Sequence, residues 1–385
     1  MHILKLIFKN SFRHKLRTFL TILGVTVAIL AFGLLRTVVS AWYAGVEASS
    51  ATRLVTRNAV SLVFPLPLSY KEKIRQIEGV KGVSYGTWFG GIYIDEKNFF
   101  ANYSMEPRTY LAMYPEIIIP EDQWNVFLRD RKGAAAGKKL AERFGWKIGD
   151  VITLKGTIFP GNWDFVLDAI YKGRDDTVDE TAFFFHWAYL NETLKKAGRS
   201  WTDKVGWFLI EIEDPDIAAE VSLRIDKNFK NSLAETLTET EKAFQLSFIS
   251  MTEAIVIAIR LVSFVIIFII MAVVANTMAM TARERIGEYA IFKTLGFRSF
   301  HIAGLILGES LFVTMLGAAL GILLTFPAAA LFGKELSQYF PIFNVERETI
   351  VLDIIAALVV AFVAALFPSW RAIHIRIADG LRRVG

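Results

Sequence analysis

The chain has 385 residues, 54% of them hydrophobic, with 43 Lys and Arg, 38 Asp and Glu, and no cysteine. The missing cysteine excludes disulfides, thiol catalysis and cysteine metal sites. A formal net charge of +5 says little as a total and no nucleic-acid partner is expected; where the charges and the apolar residues lie says much more.

Lys5, Lys9, Arg13, Lys15 and Arg17 come first, with no acid among them, followed by an uncharged apolar run from Thr18 to Leu35. Comparable runs lie near 261–282, 310–332 and 354–370, the last reaching full length only by extending back towards Glu348 across Asp353. A helix needs about 20 apolar residues to cross a bilayer core of about 30 Å, so four spans are expected. The first run exceeds the apolar part of a cleavable leader and no small-x-small site closes it, so it is expected to stay as a helix. The segment between the second and third runs carries Arg283, Arg285, Lys293 and Arg298, and Arg371, Arg376, Arg382 and Arg383 follow the fourth. Four crossings put these three basic clusters on one side. Lys and Arg near span ends favour the cytoplasm, so both termini and the 283–301 loop are assigned there, leaving residues of about 41–245 and the 333–348 loop outside.

The long segment after the first span reads as one α+β unit without a regular βαβ repeat. Leu68–Ile77 is a predicted helix closed by Gly79, and Val80–Tyr85 a strand. A second helix covers Gly137–Phe144, the Ile148-Gly149-Asp150 turn introduces a strand at Val151–Leu154, and Trp207–Ile212 alternates as a strand. Asp214-Pro215-Asp216 starts a helix over Ile217–Phe229. Between Pro215 and Gly287 there is neither proline nor glycine. Phe244, Phe248, Met251, Ile255 and Ile259 recur there at helical spacing. A continuous helix from Glu239 to Arg285, about 70 Å long, is therefore expected, half of it a stalk outside the membrane. The expected division is 1–40 for the N-terminus and first span and 41–238 for the outer domain. Residues 239–301 then form the stalk, second span and connector, and 302–385 the last two spans.

The connector reads Asn276-Thr-Met-Ala-Met-Thr-Ala-Arg-Glu-Arg-Ile-Gly-Glu-Tyr-Ala-Ile-Phe-Lys-Thr-Leu-Gly-Phe297. With Phe12–Val25, Gly308-Glu-Ser-Leu followed by Gly317 and Gly321, Phe367-Pro-Ser-Trp-Arg-Ala372 and Ala378-Asp-Gly-Leu-Arg382, it resembles the FtsX-like, MacB-type ABC transporter permeases (type VII). The outer portion resembles their MacB-type periplasmic core domain, notably at Gly137-Lys-Lys-Leu-Ala and Ile148–Leu154. The resemblance covers nearly the whole chain, with one departure: Gly287 stands where relatives usually carry a basic residue. The fold it implies is an α-helical membrane protein of four transmembrane helices with an inserted α+β extracytoplasmic domain and a long helical stalk. It further implies a multi-pass permease of the bacterial cytoplasmic membrane that hydrolyses no ATP and needs no cofactor. A separate ABC ATPase dimer would drive it through the connector by mechanotransmission. Further expected partners are a second permease copy or paralogue, membrane lipids and, as a candidate, a periplasmic adaptor. The alternative is a transmembrane regulator that transmits ATPase motion to a periplasmic hydrolase.

Several residues have competing readings. On charge alone Arg283, Glu284, Arg285, Glu288 and Lys293 are interfacial anchors; the resemblance makes them, with Leu295 and Gly296, the ATPase-coupling segment. Reversing Arg285 and Glu288 is then expected to spare the fold, as changes on an exposed surface do, while costing partner binding. Glu309, near the cytoplasmic end of the third span, is either a functional intramembrane acid or a snorkelling side chain. Gly317 and Gly321 form a small-xxx-small pair for close helix packing, within one chain or across a dimer. Gly133-Ala-Ala-Ala-Gly137-Lys138 is superficially similar to a P-loop but one residue short, with Lys139 in place of Ser or Thr, and is rejected. The five histidines, at 2, 14, 186, 301 and 374, form no metal-ligand pair. Asp175, Asp176, Asp179 and Glu180 read as a solvated loop, and Phe183, Phe184, Phe185, Trp187 and Tyr189 as a core strand rather than a ligand surface. No catalytic constellation remains.

Overall fold

The computed structural model describes residues 2–175, 177–250, 252–336, 340 and 342–374. Of the sequence motifs, Arg376, Arg382, Arg383, Asp176, Met251 and the Ala378–Arg382 stretch lie outside these. The chain forms two compact units. One comprises 1–41, 252–335 and 343–385; the other comprises 42–251 with 336–342.

The first unit carries the four apolar helices, Lys15–Glu47, Glu253–Glu284, Ser299–Leu336 and Arg347–Ile373, each long and apolar enough to cross a membrane. Small and branched residues fill their common core: Val25, Ala28 and Ile29 meet Ile270, Val274, Ala318, Ala357, Val360 and Ala364. Large apolar side chains such as Phe264, Leu323 and Leu366 point outward, as a lipid-facing surface requires, since the bilayer gives no reason to hide them. Some polar groups in the core bond to backbone, while Thr314 Oγ1, Thr349 Oγ1 and Asp353 Oδ1 are buried without a hydrogen-bond partner. Ser310 Oγ donates to Ala361 O across helices at 2.8 Å.

The outer unit is built on an eleven-stranded mixed sheet. Ten strands follow one another in space: Thr236–Thr240, Arg53–Asn58, Trp207–Ile212, Val80–Trp88, Asn102–Met105, Phe183–His186, Gly133–Gly137, Gly161–Gly173, Val151–Gly156 and Gly91–Ile92. Ile117–Ile118 adds to the Gly161–Gly173 strand. Two pairings are parallel, Phe183–His186 with Asn102–Met105 and Gly133–Gly137 with Gly161–Gly173. Alternation sends side chains to opposite faces. On one face Leu54, Val83, Phe208 and Ile210 pack under helices Tyr70–Arg75 and Ala218–Phe229. Phe165, Phe183 and Phe185 continue that side under Lys138–Phe144 and Trp187–Lys196. On the other face stand Val55, Leu209, Met105, Ala135 and Phe184.

Most sequence-predicted elements are found with shifted ends. Asp214 caps a short 3-10 turn, Pro215–Ile217, by accepting from Asp216 N, and the helix proper starts at Ala218. Gly79 adopts φ 88, as the turn into Val80 requires. The rejected P-loop look-alike is a fully buried strand. Its glycines serve sheet packing, because a Cβ on Gly137 would fall 2.0 Å from Glu180 O.

The continuous stalk helix is not observed. Residues Thr236–Thr240 are a strand, and the helical run after it is divided into Glu241–Ser250 and Glu253–Glu284. The interruption coincides with Ser247, Ser250 and Thr252. Hydroxyls of this kind compete for backbone: Ser247 donates to Phe244 O and Ser250 to Ser247 O. The absence of proline and glycine is thus necessary for an unbroken helix but does not ensure one.

Candidate coupling site

The second span ends at Glu284, and Arg285, at φ −103 and ψ 15, separates it from a nine-residue helix, Ile286–Thr294. The end of that helix explains the Leu-Gly pair. Gly296 takes φ +90, its N–H donates to Lys293 O at 3.1 Å, and Phe297 N–H donates to Phe292 O at 3.0 Å. This is a Schellman cap, with glycine at the left-handed position and an apolar contact between the flanking residues; the Phe292 and Phe297 rings lie 5.4 Å apart. Gly296 therefore stops the helix and redirects the chain into Ser299–Leu336.

The charged residues form a knot rather than a free surface. Arg285 is buried, as is Glu309, and the Arg285 Nη1–Glu309 Oε2 distance is 3.0 Å. Arg285 Nε donates to Glu288 Oε2, also at 3.0 Å, and its guanidinium lies 5.4 Å from the centre of the Tyr289 ring. The expectation that Arg285 sits on an exposed surface is therefore corrected. Its charge is drawn inward because Glu309, the buried acid of the apolar third helix, needs a cation, and burying either charge alone would be prohibitive. Glu309 is accordingly neither free nor snorkelling.

Around this pair, Glu288 also receives Arg13. Burial works against the Glu288 carboxylate, but the bonds from Arg13 and Arg285 outweigh it and hold its pKa below the usual value. Glu284 accepts two bonds from Arg17, at 2.9 and 2.7 Å, with His14 at 3.4 Å. Lys293 Nζ donates to Ile373 O at 2.7 Å. The short helix is thereby held to the N-terminal segment and to the third and fourth helices. Arg283 is exposed. So is an apolar set at the helix end, Ile291, Leu295, Phe297 and Phe300, with Leu295 70% exposed.

Gly317 and Gly321 pack against the Lys15–Glu47 helix of the same chain. A Cβ on Gly317 would stand 2.7 Å from Val25 Cβ, and one on Gly321 2.9 Å from Ile29 Cβ. Thr26 Oγ1 donates to Gly317 O at 3.1 Å, using the close approach. Sequence reasoning counted Arg13 and Arg17 only as side markers, and His14 only as a histidine without a metal-ligand partner. The signal that could have paired them was the run of acids, Glu284 and Glu288, on the facing segment.

In the outer unit, the acidic loop supplies turn caps. Asp175 accepts from Thr177 N, Asp179 from Thr181 N, and Glu180 from Gly173 N. Phe183, Phe184 and Phe185 are a buried strand.

A family model described as FtsX-like permease C-terminal matches residues 260–377. An uncharacterized ABC transporter permease of Methanocaldococcus jannaschii is 26% identical over 342 residues, covering 82% of this chain and 81% of that protein. Among solved structures, the periplasmic region of MacB from Actinobacillus actinomycetemcomitans aligns over 53% of this chain and 95% of its own, at 9% identity and a TM-score of 0.38. The extracellular domain of the noncanonic ABC-type transporter YknZ from Gram-positive bacteria aligns over 49% of this chain and all of its own, at 12% identity and a TM-score of 0.34.

Proposed function

We propose that this chain is an FtsX-like ABC transporter permease, the membrane subunit of an export or release machine whose ATPase is a separate protein. In this reading ATP-driven closure of the ATPase pair moves the Ile286–Thr294 helix, and the motion reaches the extracytoplasmic domain through the spans. Two copies, or this chain and a paralogue, provide the two docking points that an ATPase dimer needs. Both termini and the connector face the cytoplasm, as the basic clusters favour.

The observation that carries the reading is the form of the connector. It is a short helix locked to three other segments by Arg285–Glu309, Arg13–Glu288 and Lys293–Ile373, yet it presents Leu295, Phe297 and Phe300 outward. A segment meant only to anchor a span needs neither the buried ion pair nor the apolar tip. The locked side transmits displacement and the exposed side accepts a partner, with an apolar centre and charged rim typical of an interface. The large outer domain favours transport over regulation of a hydrolase, for which a small docking module suffices.

The test is co-purification of the chain with its candidate ATPase, using Leu295→Asp. Leu295 is the exposed residue that caps the helix C-terminus, so folding should change by less than about 0.5 kcal/mol. Loss of the partner and of permease-stimulated ATP hydrolysis is expected, with an unchanged melting curve. Full retention of both would place the docking surface elsewhere.

A further inference from the structure

The outer unit contains a cavity of about 1230 Å³, larger than the roughly 300–1,000 Å³ of most small-molecule sites. We propose that it binds a hydrophobic cation, the apolar body against the sheet and the positive charge towards Asp179. This rests on the reading that the extracytoplasmic domain handles the transported molecule, and it names that molecule's chemical class.

The wall is aromatic and held in shape by its own contacts. Register places Trp88, Tyr103 and Phe184 side by side on neighbouring strands, on one face. Trp88 meets Tyr103 edge-on at 5.1 Å, Tyr103 stacks with Phe184 at 5.9 Å, and Trp207 meets Tyr103 edge-on at 5.8 Å. Trp207 pairs in register with Gly86, where a Cβ would stand 2.8 Å from the indole. The glycine thus lets the ring lie across the sheet. These rings buttress one another, so the face does not close on itself by rotamer change. Helix Glu241–Ser250 brings Phe244 and Phe248 to the same cavity.

The charge of the lining selects the ligand's sign. Among the described lining residues there are five carboxylates, Glu116, Asp175, Asp179, Glu211 and Glu241, and two guanidiniums, Arg53 and Arg174; Lys81, outside the lining, pairs with Glu211 at 2.7 Å, and Arg174 lies 3.7 Å from Asp175. Arg53 is bonded at all three nitrogens. It reaches Glu116 at 2.8 Å, Glu241 at 2.7 Å and Met113 O at 2.9 Å, and it lies 4.2 Å over the Tyr114 ring. One cation thus answers two acids, and each of its three nitrogens already has a partner. Asp179 accepts from Thr181 N and Oγ1 through Oδ1, both at 2.7 Å, which aligns its carboxylate beside the aromatic wall, where the Lys139 charge also acts on it. Burial pushes the Asp179 pKa up, and a bound cation would offset that penalty. Ring faces add attraction for a cation and none for an anion. A fatty acid or other anionic amphiphile fits the shape and not the charge.

The probes are tetraphenylphosphonium and tetraphenylborate, nearly equal in shape and opposite in sign. Full-length chain in nanodiscs is titrated without ATP or ATPase, reading tryptophan quenching and equilibrium dialysis against empty nanodiscs. Saturable binding of the phosphonium is expected, at least about tenfold tighter than the borate. Asp179→Asn, which keeps the Oδ1 acceptor, should weaken the phosphonium several-fold and leave the borate unchanged or tighter. Trp207→Leu should weaken the phosphonium while the circular dichroism is preserved. Borate binding as tight as phosphonium, uptake no greater than by empty nanodiscs, or indifference to both substitutions overturns the proposal. Because no ATPase is present, these failures leave the coupling reading untouched, and failure of the Leu295→Asp test leaves this one untouched.

Discussion

Glu309→Ala removes one partner of the buried Arg285–Glu309 pair and leaves a guanidinium that is 6% exposed with only Glu288, itself shared with Arg13, to balance it. Losing one member of a buried pair typically costs about 3–5 kcal/mol, whereas replacing both with apolar residues of similar volume is often neutral or stabilising. Glu309→Ala and Arg285→Met should therefore each destabilise strongly, and Arg285→Met combined with Glu309→Leu should recover most of the loss. Glu284→Ala, which breaks the exposed pair with Arg17, should cost about 0–1 kcal/mol. Arg285→Glu should fail to fold, since it adds a carboxylate beside Glu288 and Glu309. The assay is reversible unfolding in mixed micelles followed by circular dichroism, analysed as a double-mutant cycle. If Glu309→Ala costs no more than Glu284→Ala, or if the double variant loses the sum of the single ones, the ion pair does not hold the connector.

Gly317→Val should destabilise the bundle by about 1–3 kcal/mol through overpacking against Val25 and Ile22, visible as a lower melting temperature in detergent. Gly296→Ala should cost about 1 kcal/mol in the same melt, because φ +90 strains any residue with a Cβ. Asp168 Oδ2 is buried with no hydrogen-bond partner, and burial, with a smaller push from Asp130, raises its pKa to about 6. A carboxyl raised on folding favours the folded state while protonated, and that advantage is lost as pH rises through about 6; Asp168→Asn should therefore gain about 1 kcal/mol over the parent at pH 8 and nothing at pH 4, checked by melts at both. Ser200→Cys should react with an impermeant thiol reagent from outside intact cells and Ser299→Cys should not; the reverse would invert the topology.

The sequence by itself determined the four spans, the side on which its basic clusters favour placing the loops, and most of the outer domain's local elements. These follow from short-range physics. A bilayer sets the length of an apolar run, a period of two or 3.6 sets the exposed face, and Asp214 and Gly79 act within a few residues of where they stand. The Leu295-Gly296 stop follows the same short-range logic, although the sequence reading took the pair only as part of the coupling segment. What only tertiary structure decided lies between residues far apart in the chain. That Arg285 turns inward depends on Glu309 arriving 24 residues later; a charge count cannot distinguish an anchor from half of a buried pair. The partner of Gly317 and Gly321 is the first helix, almost 300 residues upstream, and a small-residue stripe carries no address. The division of the helical run before Thr252 has no local signature, since back-bonded hydroxyls such as Ser263, Thr277 and Thr281 sit inside the unbroken Glu253–Glu284 helix. The aromatic wall behind Asp179 exists because Asn102–Met105 pairs with both Val80–Trp88 and Phe183–His186. Strand pairing across some eighty residues is set by the packing of whole faces, and no local pattern specifies it.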